Sequence, residues 1–177
     1  MWKSSPERYG RMAIALHWTT AALIIGLMIS GFRAASTIDI AEKASLLRIH
    51  APVGMAVLAL TLARIAWWRL ADVKPLEPAG MSRLQAIGAK AVHGLLYAVI
   101  LGMVGSGIAL FVMSGAGAIL AGNAPGPLPD FWSFPPRYGH ATMVRLMLLL
   151  LLLHLGAALY HQFIRKDRLF ARMGVGQ

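Results

Sequence analysis

Four long apolar stretches, separated by shorter polar segments, divide the chain into a regular pattern. They cover about residues 12–32, 49–68, 91–113 and 146–164, and none holds more than one charged side chain. A helix needs about 20 apolar residues to cross a bilayer core of about 30 Å. The pattern therefore predicts an all-α membrane protein, a four-transmembrane-helix bundle that forms a single domain over residues 1–177.

Two connecting segments differ in character. The segment "ADVKPLEPAGMSR" contains Pro75, Pro78 and Gly80, which predict a linker without helix. The segment "SGAGAILAGNAPGPLPDFWSFPPRYGH" is longer and rich in glycine and proline, and aromatic residues stand near its end. Aromatic side chains of this kind are typical of the membrane interface, so this segment is expected at the membrane surface.

Composition strengthens the assignment to the membrane. The chain is 58% hydrophobic and 14% charged, with a mean hydropathy of +0.63, which is more apolar surface than a soluble domain of 177 residues buries. It contains no cysteine. Disulfides, thiolate-bound iron–sulfur clusters and covalent haem attachment through a C-x-x-C-H motif are therefore excluded.

Basic residues are distributed unevenly between the two sides of the predicted membrane. With both termini on one side, that side holds twelve lysines and arginines and the other holds five: Arg33, Lys43, Arg48, Arg137 and Arg145. The positive-inside rule then predicts that both termini are cytoplasmic. This topology and the attraction of anionic lipid headgroups account for the net charge of +10, so no binding of nucleic acid is expected.

Every predicted span carries at least one histidine. Near the inner ends of spans one and three lie His17 and His93, near the outer end of span two lies His50, and on or just before span four lie His140, His154 and His161. An ionisable side chain inside a membrane span is costly unless it has a partner, so it indicates a functional site. The histidines are therefore the candidate site residues.

Spacing along span four places its histidines on one helix face. His140 and His154 are fourteen residues apart, which brings them to nearly the same face at levels roughly 21 Å apart, and His161 follows seven residues later. His50 is a partner at the outer level, and His17, with His93, at the inner level. Depth alone does not choose between His154 and His161 as the partner of His17.

Two imidazoles at each of two levels are the axial ligands that two stacked six-coordinate haems need. Glycines beside the histidines, namely Gly54, Gly94 and Gly156, allow close approach of a porphyrin. Cations for haem propionates are available outside in Arg48, Arg137 and Arg145, and inside in Arg11 and Lys90.

Alternative interpretations remain for parts of this set. A single histidine near a helix end, such as His93 or His161, is often an interfacial residue bonded to a carbonyl, and small residues such as "GMVGSG" often form a helix-packing seam. A haem-free, histidine-lined proton or metal transporter would use the same residue type. However, the spans contain few other polar residues that would line a continuous path.

Four motifs carry a resemblance to a known family: "RMAIALHW", "LLRIHAPVGMAVLALTLARIAWW", "KAVHGLLYAVILGMVGSGI" and "HLGAALYHQFIRKDRLFARM". With them the chain resembles the bacterial cytochrome b561 family, small four-helix dihaem cytochromes linked to quinone, over essentially its whole length. The resemblance implies two noncovalent b-type haems. It implies His17 with His154 as ligands of the inner haem, and His50 with His140 as ligands of the outer haem.

The resemblance also implies an activity in the bacterial inner membrane. A superoxide:ubiquinone oxidoreductase would oxidise superoxide on the periplasmic side and pass the electrons to ubiquinone. His93 and His161, which ligation does not use, are the candidate catalytic residues for quinone contact or proton delivery. The alternative within redox chemistry is a cytochrome subunit that anchors a periplasmic hydrogenase or dehydrogenase and passes its electrons to quinone.

Overall fold

A computed structural model describes residues 1–78 and 80–176 and contains four long helices. These are α1 (Arg11–Ser36), α2 (Ile40–Leu70), α3 (Arg83–Met113) and α5 (Pro135–Leu159), the last continued by a π-helical turn at Tyr160–Arg165. Each is long and apolar enough to cross a membrane, and no strand occurs within the part of the chain that the structure describes. The prediction of an all-α protein with four spans is confirmed.

The helices extend beyond the apolar stretches from which they were predicted. α2 begins at Ile40, nine residues before the predicted span, and α3 begins at Arg83, eight residues before it. These extra turns carry polar and charged side chains, for example Glu42 and Lys43 at the start of α2. Hydropathy marks the part of a helix that suits lipid, whereas the backbone hydrogen bonds continue into the polar ends.

Side-chain caps explain where two of these helices begin. Asp39 Oδ1 accepts a hydrogen bond from the Ala41 backbone N–H at 2.8 Å, at the start of α2. At α3, the Ser82 N–H donates to Gln85 Oε1 at 3.0 Å and the Gln85 N–H donates to Ser82 Oγ at 3.2 Å. This reciprocal arrangement is a capping box, which satisfies backbone donors that have no partner within the helix.

The linker between α2 and α3 agrees with its predicted character, and the placement of the segment after α3 at the membrane surface stays a prediction. The linker between α2 and α3 has no helix among its described residues, and Ala79 lies outside them. The segment after α3 contains two short elements, α4 (Ala116–Leu120) and a 3-10 helix at Phe131–Ser133. A last short helix, α6 (Leu169–Arg172), follows the π-helical turn.

The described chain divides into two compact units, and each long helix contributes to both. The first unit contains residues 1–20, 60–98 and 147–177, and the second contains residues 21–59 and 99–146. Buried apolar side chains of the first unit include Ala86, Met147 and Leu150, and those of the second include Val57 and Val99. The assignment of the whole chain to one domain stays a prediction.

Large apolar side chains cover the outside of the helices. Ile29 on α1 is 65% exposed and Leu152 on α5 is 69% exposed. In water such surfaces would be unfavourable, whereas in a bilayer they contact lipid chains of equal polarity. The exposed apolar surface therefore agrees with membrane lipid as the surroundings of these helices.

Asp72 joins three parts of the first unit. Its carboxylate accepts hydrogen bonds from Ser4 Oγ at 2.8 Å, from the Ser4 backbone N–H at 3.0 Å and from Trp67 Nε1 at 3.1 Å. Partial burial would raise the pKa of Asp72, but the hydrogen bonds from Ser4, Val73 and Trp67 outweigh it and hold the pKa below its usual value. The N-terminal segment is thus tied to the end of α2.

Candidate functional site

His50 and His140 form a pair in the second unit. His50 lies on α2 and His140 on α5, and their ring centroids are 6.4 Å apart with the ring planes inclined at 65°. Both residues are half-buried. The structure therefore brings together the two histidines that the resemblance assigns to one haem.

Hydrogen bonds orient both rings of this pair. His140 Nδ1 lies 3.0 Å from the Met103 carbonyl, which can only accept, so Nδ1 carries the hydrogen. His50 Nδ1 lies 3.1 Å from Ser30 Oγ, whose hydroxyl donates to the Leu27 carbonyl at 3.1 Å and so accepts from Nδ1. In both rings Nε2 keeps its lone pair, as a metal ligand requires.

A serine accompanies each histidine in the same way. Ser106 Oγ donates to the Met103 carbonyl at 2.9 Å and lies 3.1 Å from His140 Nδ1. Ser30 repeats this arrangement beside His50, with the carbonyl three residues earlier in its helix. The two serines were not identified from the sequence, because their contact with histidine depends on how α1 and α3 are rotated.

Both rings also pack against a glycine. A Cβ atom at Gly31 would lie 3.2 Å from His50 Cε1, and one at Gly107 would lie 3.6 Å from His140 Cε1. The absence of a side chain lets the His50 ring lie directly on the backbone of α1.

Three histidines meet in the first unit. The ring centroids of His17 on α1 and His154 on α5 are 6.1 Å apart at an interplanar angle of 67°. His93 on α3 has its ring 5.2 Å from that of His154 at an angle of 76°. The predicted inner pair thus lies together, and His93 lies beside it.

These distances allow a test of whether a haem iron fits between the rings. With metal–nitrogen bonds of about 2.0 Å on opposite sides of one metal, two imidazole centroids are roughly 6 Å apart. The His17–His154 and His50–His140 spacings agree with this value, whereas the 5.2 Å between His93 and His154 is too short. Each pair therefore fits the axial positions of a haem.

The number of protein ligands available at each histidine pair also indicates a haem. Within residues 1–78 and 80–176, no cluster of three or more histidine, cysteine or acidic side chains has an arrangement suited to a metal ion. A site built from protein ligands alone usually has at least three of them. Two histidines suffice for a haem, because the porphyrin supplies the other four nitrogens.

Arg64 on α2 was not identified from the sequence as a site residue. It is half-buried, its guanidinium lies 5.8 Å from the Tyr97 ring centroid, and it interacts electrostatically with His17 and His154. Arg64 Nε and the hydroxyl of Thr61, one turn earlier, are buried without a hydrogen-bond partner among the described residues. A buried cation beside a buried hydroxyl suits an anionic group such as a haem propionate.

Three of the five cations that the sequence suggested for propionates have other contacts. Lys90 Nζ pairs with Glu77 at 2.8 Å, Arg48 Nε donates to the Leu120 carbonyl at 3.1 Å, and the Arg137 guanidinium lies 4.4 Å from the Trp132 ring centroid. Arg11 and Arg145 are exposed. Arg64 could have been found from the sequence, because it is the one charged residue within the four apolar stretches.

His161 lies in the π-helical turn and has an acidic partner. Its side chain is buried, and His161 Nδ1 lies 2.5 Å from Asp167 Oδ2. This contact takes up one ring nitrogen of His161, whereas His154 lies against His17. Asp167 was also missed in the sequence, although it stands only six residues after His161.

Comparisons with known proteins agree with this geometry. The prokaryotic cytochrome b561 family matches residues 8–176. Cytochrome b562 of Cereibacter sphaeroides is 31% identical over 170 residues, which cover 93% of this chain and 94% of that protein. Cytochrome b561 homolog 2 of Escherichia coli strain K12 is 26% identical over 178 residues, which cover 96% of this chain and 93% of that protein. No solved structure matches the chain significantly.

The family match extends over nearly the whole chain, and the first of these relatives exceeds 30% identity over more than nine-tenths of both sequences. Together with four helices able to span a membrane, it establishes the class of protein. The chain belongs to the prokaryotic cytochrome b561 family and is a multi-pass bacterial membrane cytochrome of the b type that transfers electrons.

Proposed function

We propose that this cytochrome binds two b-type haems and passes electrons from superoxide, on the outer side of the bacterial inner membrane, to ubiquinone on the cytoplasmic side. One observation carries the proposal. Each of the two units contains one histidine pair, and the ring spacings of 6.1 Å and 6.4 Å both suit bis-imidazole ligation.

In this proposal His50 and His140 hold the outer haem, and His17 and His154 hold the inner haem. Bound haem supplies reversible one-electron chemistry. The hydrogen bonds that the Nδ1 atoms of His50 and His140 donate leave the lone pair of each ring on Nε2, where it could bind the iron. Arg64 would offset negative charge on a haem held by the inner pair, which would favour the reduced state of that site.

A small anion is a suitable outer substrate. The outer side carries five basic residues against Asp39, Glu42 and Asp130, which leaves a net charge of +2. Arg48 lies two residues before His50 and lines a groove of about 480 Å³ whose other walls are apolar. A positive field raises the encounter rate of an anion, and superoxide needs to lose only one electron to become dioxygen.

Ubiquinone is a suitable inner substrate because it dissolves in the bilayer and accepts two electrons with two protons. His161 and His93 remain for quinone contact or proton delivery, since the two ligand pairs do not use them. An imidazole has two ring nitrogens and can take a proton at one while it gives a proton from the other, which suits this role. The charge distribution supports cytoplasmic termini and thus a cytoplasmic quinone site.

The test uses the protein with its haems, reconstituted in vesicles that contain ubiquinone. With superoxide generated outside, we expect superoxide consumption and quinol formation at a rate that falls as ionic strength rises, because salt screens long-range attraction. Arg48→Gln should lower this rate and leave the haem spectra unchanged. Lys74→Gln, which removes a cation from the first unit, is the matched control and should have no effect.

Two results would contradict the proposal. If the isolated protein does not react with superoxide, but its haems are reduced once a periplasmic dehydrogenase or hydrogenase is added, the chain is an anchor subunit for such an enzyme. A haem content near zero after expression with ample haem would instead favour the histidine-lined transporter.

A further inference from the structure

A cleft of about 800 Å³ opens on the first unit. The N-terminal segment lines it with Glu7 and Arg8, the linker between α2 and α3 contributes Glu77, and the C-terminal segment contributes Asp167 and Arg172. Three separate parts of the chain thus line a cleft that is open to solvent, with acidic, basic and apolar side chains in its walls. A space of this size that is open to solvent holds water.

Asp167 lies between this cleft and a buried imidazole. Its side chain is 15% exposed, while that of His161 is 9% exposed, and Oδ2 of the carboxylate lies 2.5 Å from His161 Nδ1. The other oxygen, Oδ1, is buried and has no hydrogen-bond partner in the described part of the chain. A carboxylate oxygen without a partner is costly, so the group is set up to accept a proton or a water molecule.

The backbone around Asp167 is held in an uncommon conformation. Lys166 and Arg168, its two neighbours, both have φ of 56°, in the left-handed region that residues other than glycine rarely adopt. The Asp167 N–H donates to the His161 carbonyl at 3.2 Å, so both backbone and side chain fix the position of this residue. Strain of this kind is retained where a side chain must be placed for function.

We propose that Asp167 relays protons from water in this cleft to His161, which delivers them to ubiquinone during its reduction. The relay rests on the proposed function, because it requires that quinone be reduced near His161. In each cycle neutral His161, with its hydrogen on Nε2, gives that hydrogen to an oxygen of the quinone as it is reduced, while its Nδ1 takes the proton of the Asp167 carboxyl. The Asp167 carboxylate then takes a proton from water in the cleft, and a turn of the imidazole ring brings the remaining N–H back to the quinone side. Two such cycles, with two electrons that arrive through the haems, convert one quinone to one quinol.

The surroundings of the pair contain several other charged groups. Glu7 and Arg8 face the cleft from the N-terminal segment, Glu77 from the linker, and Arg168 and Arg172 from the C-terminal segment, and Tyr160 lies 5.8 Å from the His161 ring. With Asp167, three acidic and three basic side chains thus line the cleft. Asp167 is the cleft residue in direct contact with a buried histidine, and this contact distinguishes it from Glu7 and Glu77.

The experiment measures oxidation of pre-reduced haems by a soluble ubiquinone in a stopped-flow instrument, with the holoprotein in lipid nanodiscs. Asp167→Asn keeps the size of the side chain but removes its proton, and we expect oxidation to slow at least tenfold. Added formate or acetate should restore the rate of Asp167→Asn in proportion to the concentration of the added acid, because a small carboxylic acid can replace the missing carboxyl group. Asp167→Glu should retain most of the rate. Glu77→Gln, a second acid of the same cleft, is the matched control and should behave as wild type.

A readout that does not depend on turnover is the infrared difference spectrum between oxidised and reduced protein. A carboxyl band should change with haem reduction in wild type and Glu77→Gln and disappear in Asp167→Asn. Two results would overturn the relay. One is an Asp167→Asn protein that oxidises its haems at the wild-type rate. The other is an Asp167→Asn protein whose slow rate is not restored by small acids and whose infrared carboxyl band is that of wild type. If reduced wild-type haems are not oxidised by quinone at all, the proposed function fails first, and the relay fails with it.

Discussion

Gly31→Ala should weaken haem binding at the His50–His140 pair, whereas the similar change Gly107→Ala should not. The added Cβ at Gly31 would lie 3.2 Å from His50 Cε1, and the one at Gly107 would lie 3.6 Å from His140 Cε1. Carbon atoms prefer about 3.5–4.0 Å, so His50 must move by about 0.3 Å or more, whereas His140 need not move.

A displacement of this size matters for a metal ligand. Ligand positions in metal sites hold to within about 0.2 Å, and changes in the residues that orient a ligand typically reduce metal affinity by about 10- to 100-fold. We therefore expect haem affinity at this pair to fall by about tenfold, or about 1.4 kcal/mol. The His50 ring would also lose its alignment with Ser30, which lies 3.1 Å from His50 Nδ1.

The assay is the rate of haem transfer to excess apomyoglobin. Gly31→Ala should show a fast phase that accounts for one of two haems, and Gly107→Ala should resemble wild type. Gly26→Ala is a second control, because no atom lies within 4 Å of its added Cβ. All three changes gain up to about 1 kcal/mol of helix propensity, so this effect cancels in the comparison. Equal transfer rates for Gly31→Ala and Gly107→Ala would refute the reasoning.

Three further predictions concern the first unit. His17→Ala and His154→Ala should each lower the haem content from two to one per chain in a pyridine haemochromogen assay, and loss of both haems would contradict the pairing. Arg64→Met should lower the midpoint potential of one haem by on the order of 50 mV in a redox titration, because a nearby cation favours the reduced state, and leave the other unchanged. Hydrogen bonds from Ser4 hold the pKa of Asp72 low, so its stabilising effect is present above about pH 4 and is lost as pH falls through the lowered pKa. Thermal unfolding in detergent should therefore show an acid-side loss of stability that Asp72→Asn and Ser4→Ala reduce, and parallel pH profiles in all three proteins would argue against it.

The four spans were predictable because each apolar stretch is close to the thickness of a bilayer. The spacing of the histidines along span four was also predictable, since the rise per residue in a helix is constant. The rotation of each helix about its own axis was not predictable from the sequence. The contacts of His93 with His154 and of Ser106 with His140 depend on this rotation, because each joins two separate helices. Hydropathy alone does not report that angle, since every face of these helices is apolar.

The irregular backbone conformations near the end of the chain were likewise not predictable from the sequence. The stretch Tyr160–Arg165 has the composition of an ordinary helix, and its π-helical hydrogen bonds depend on tertiary contacts. Left-handed conformations at Lys166 and Arg168 have no signal either, because lysine and arginine rarely adopt them. The contact between His161 and Asp167 follows from both features, so it was found only in the structure.

The π-helical turn has a consequence for the history of this family's sequences. Such a turn closes its hydrogen bonds over one residue more than an α-helical turn, so it holds one residue that a regular α-helix of the same length would not. Deletion of one residue between Leu159 and Arg165 would restore that helix and rotate all later residues by about 100°. His161 and Asp167 would then no longer face each other. A relative shorter by one residue in this stretch should therefore lack the pair, even where it retains both amino acids.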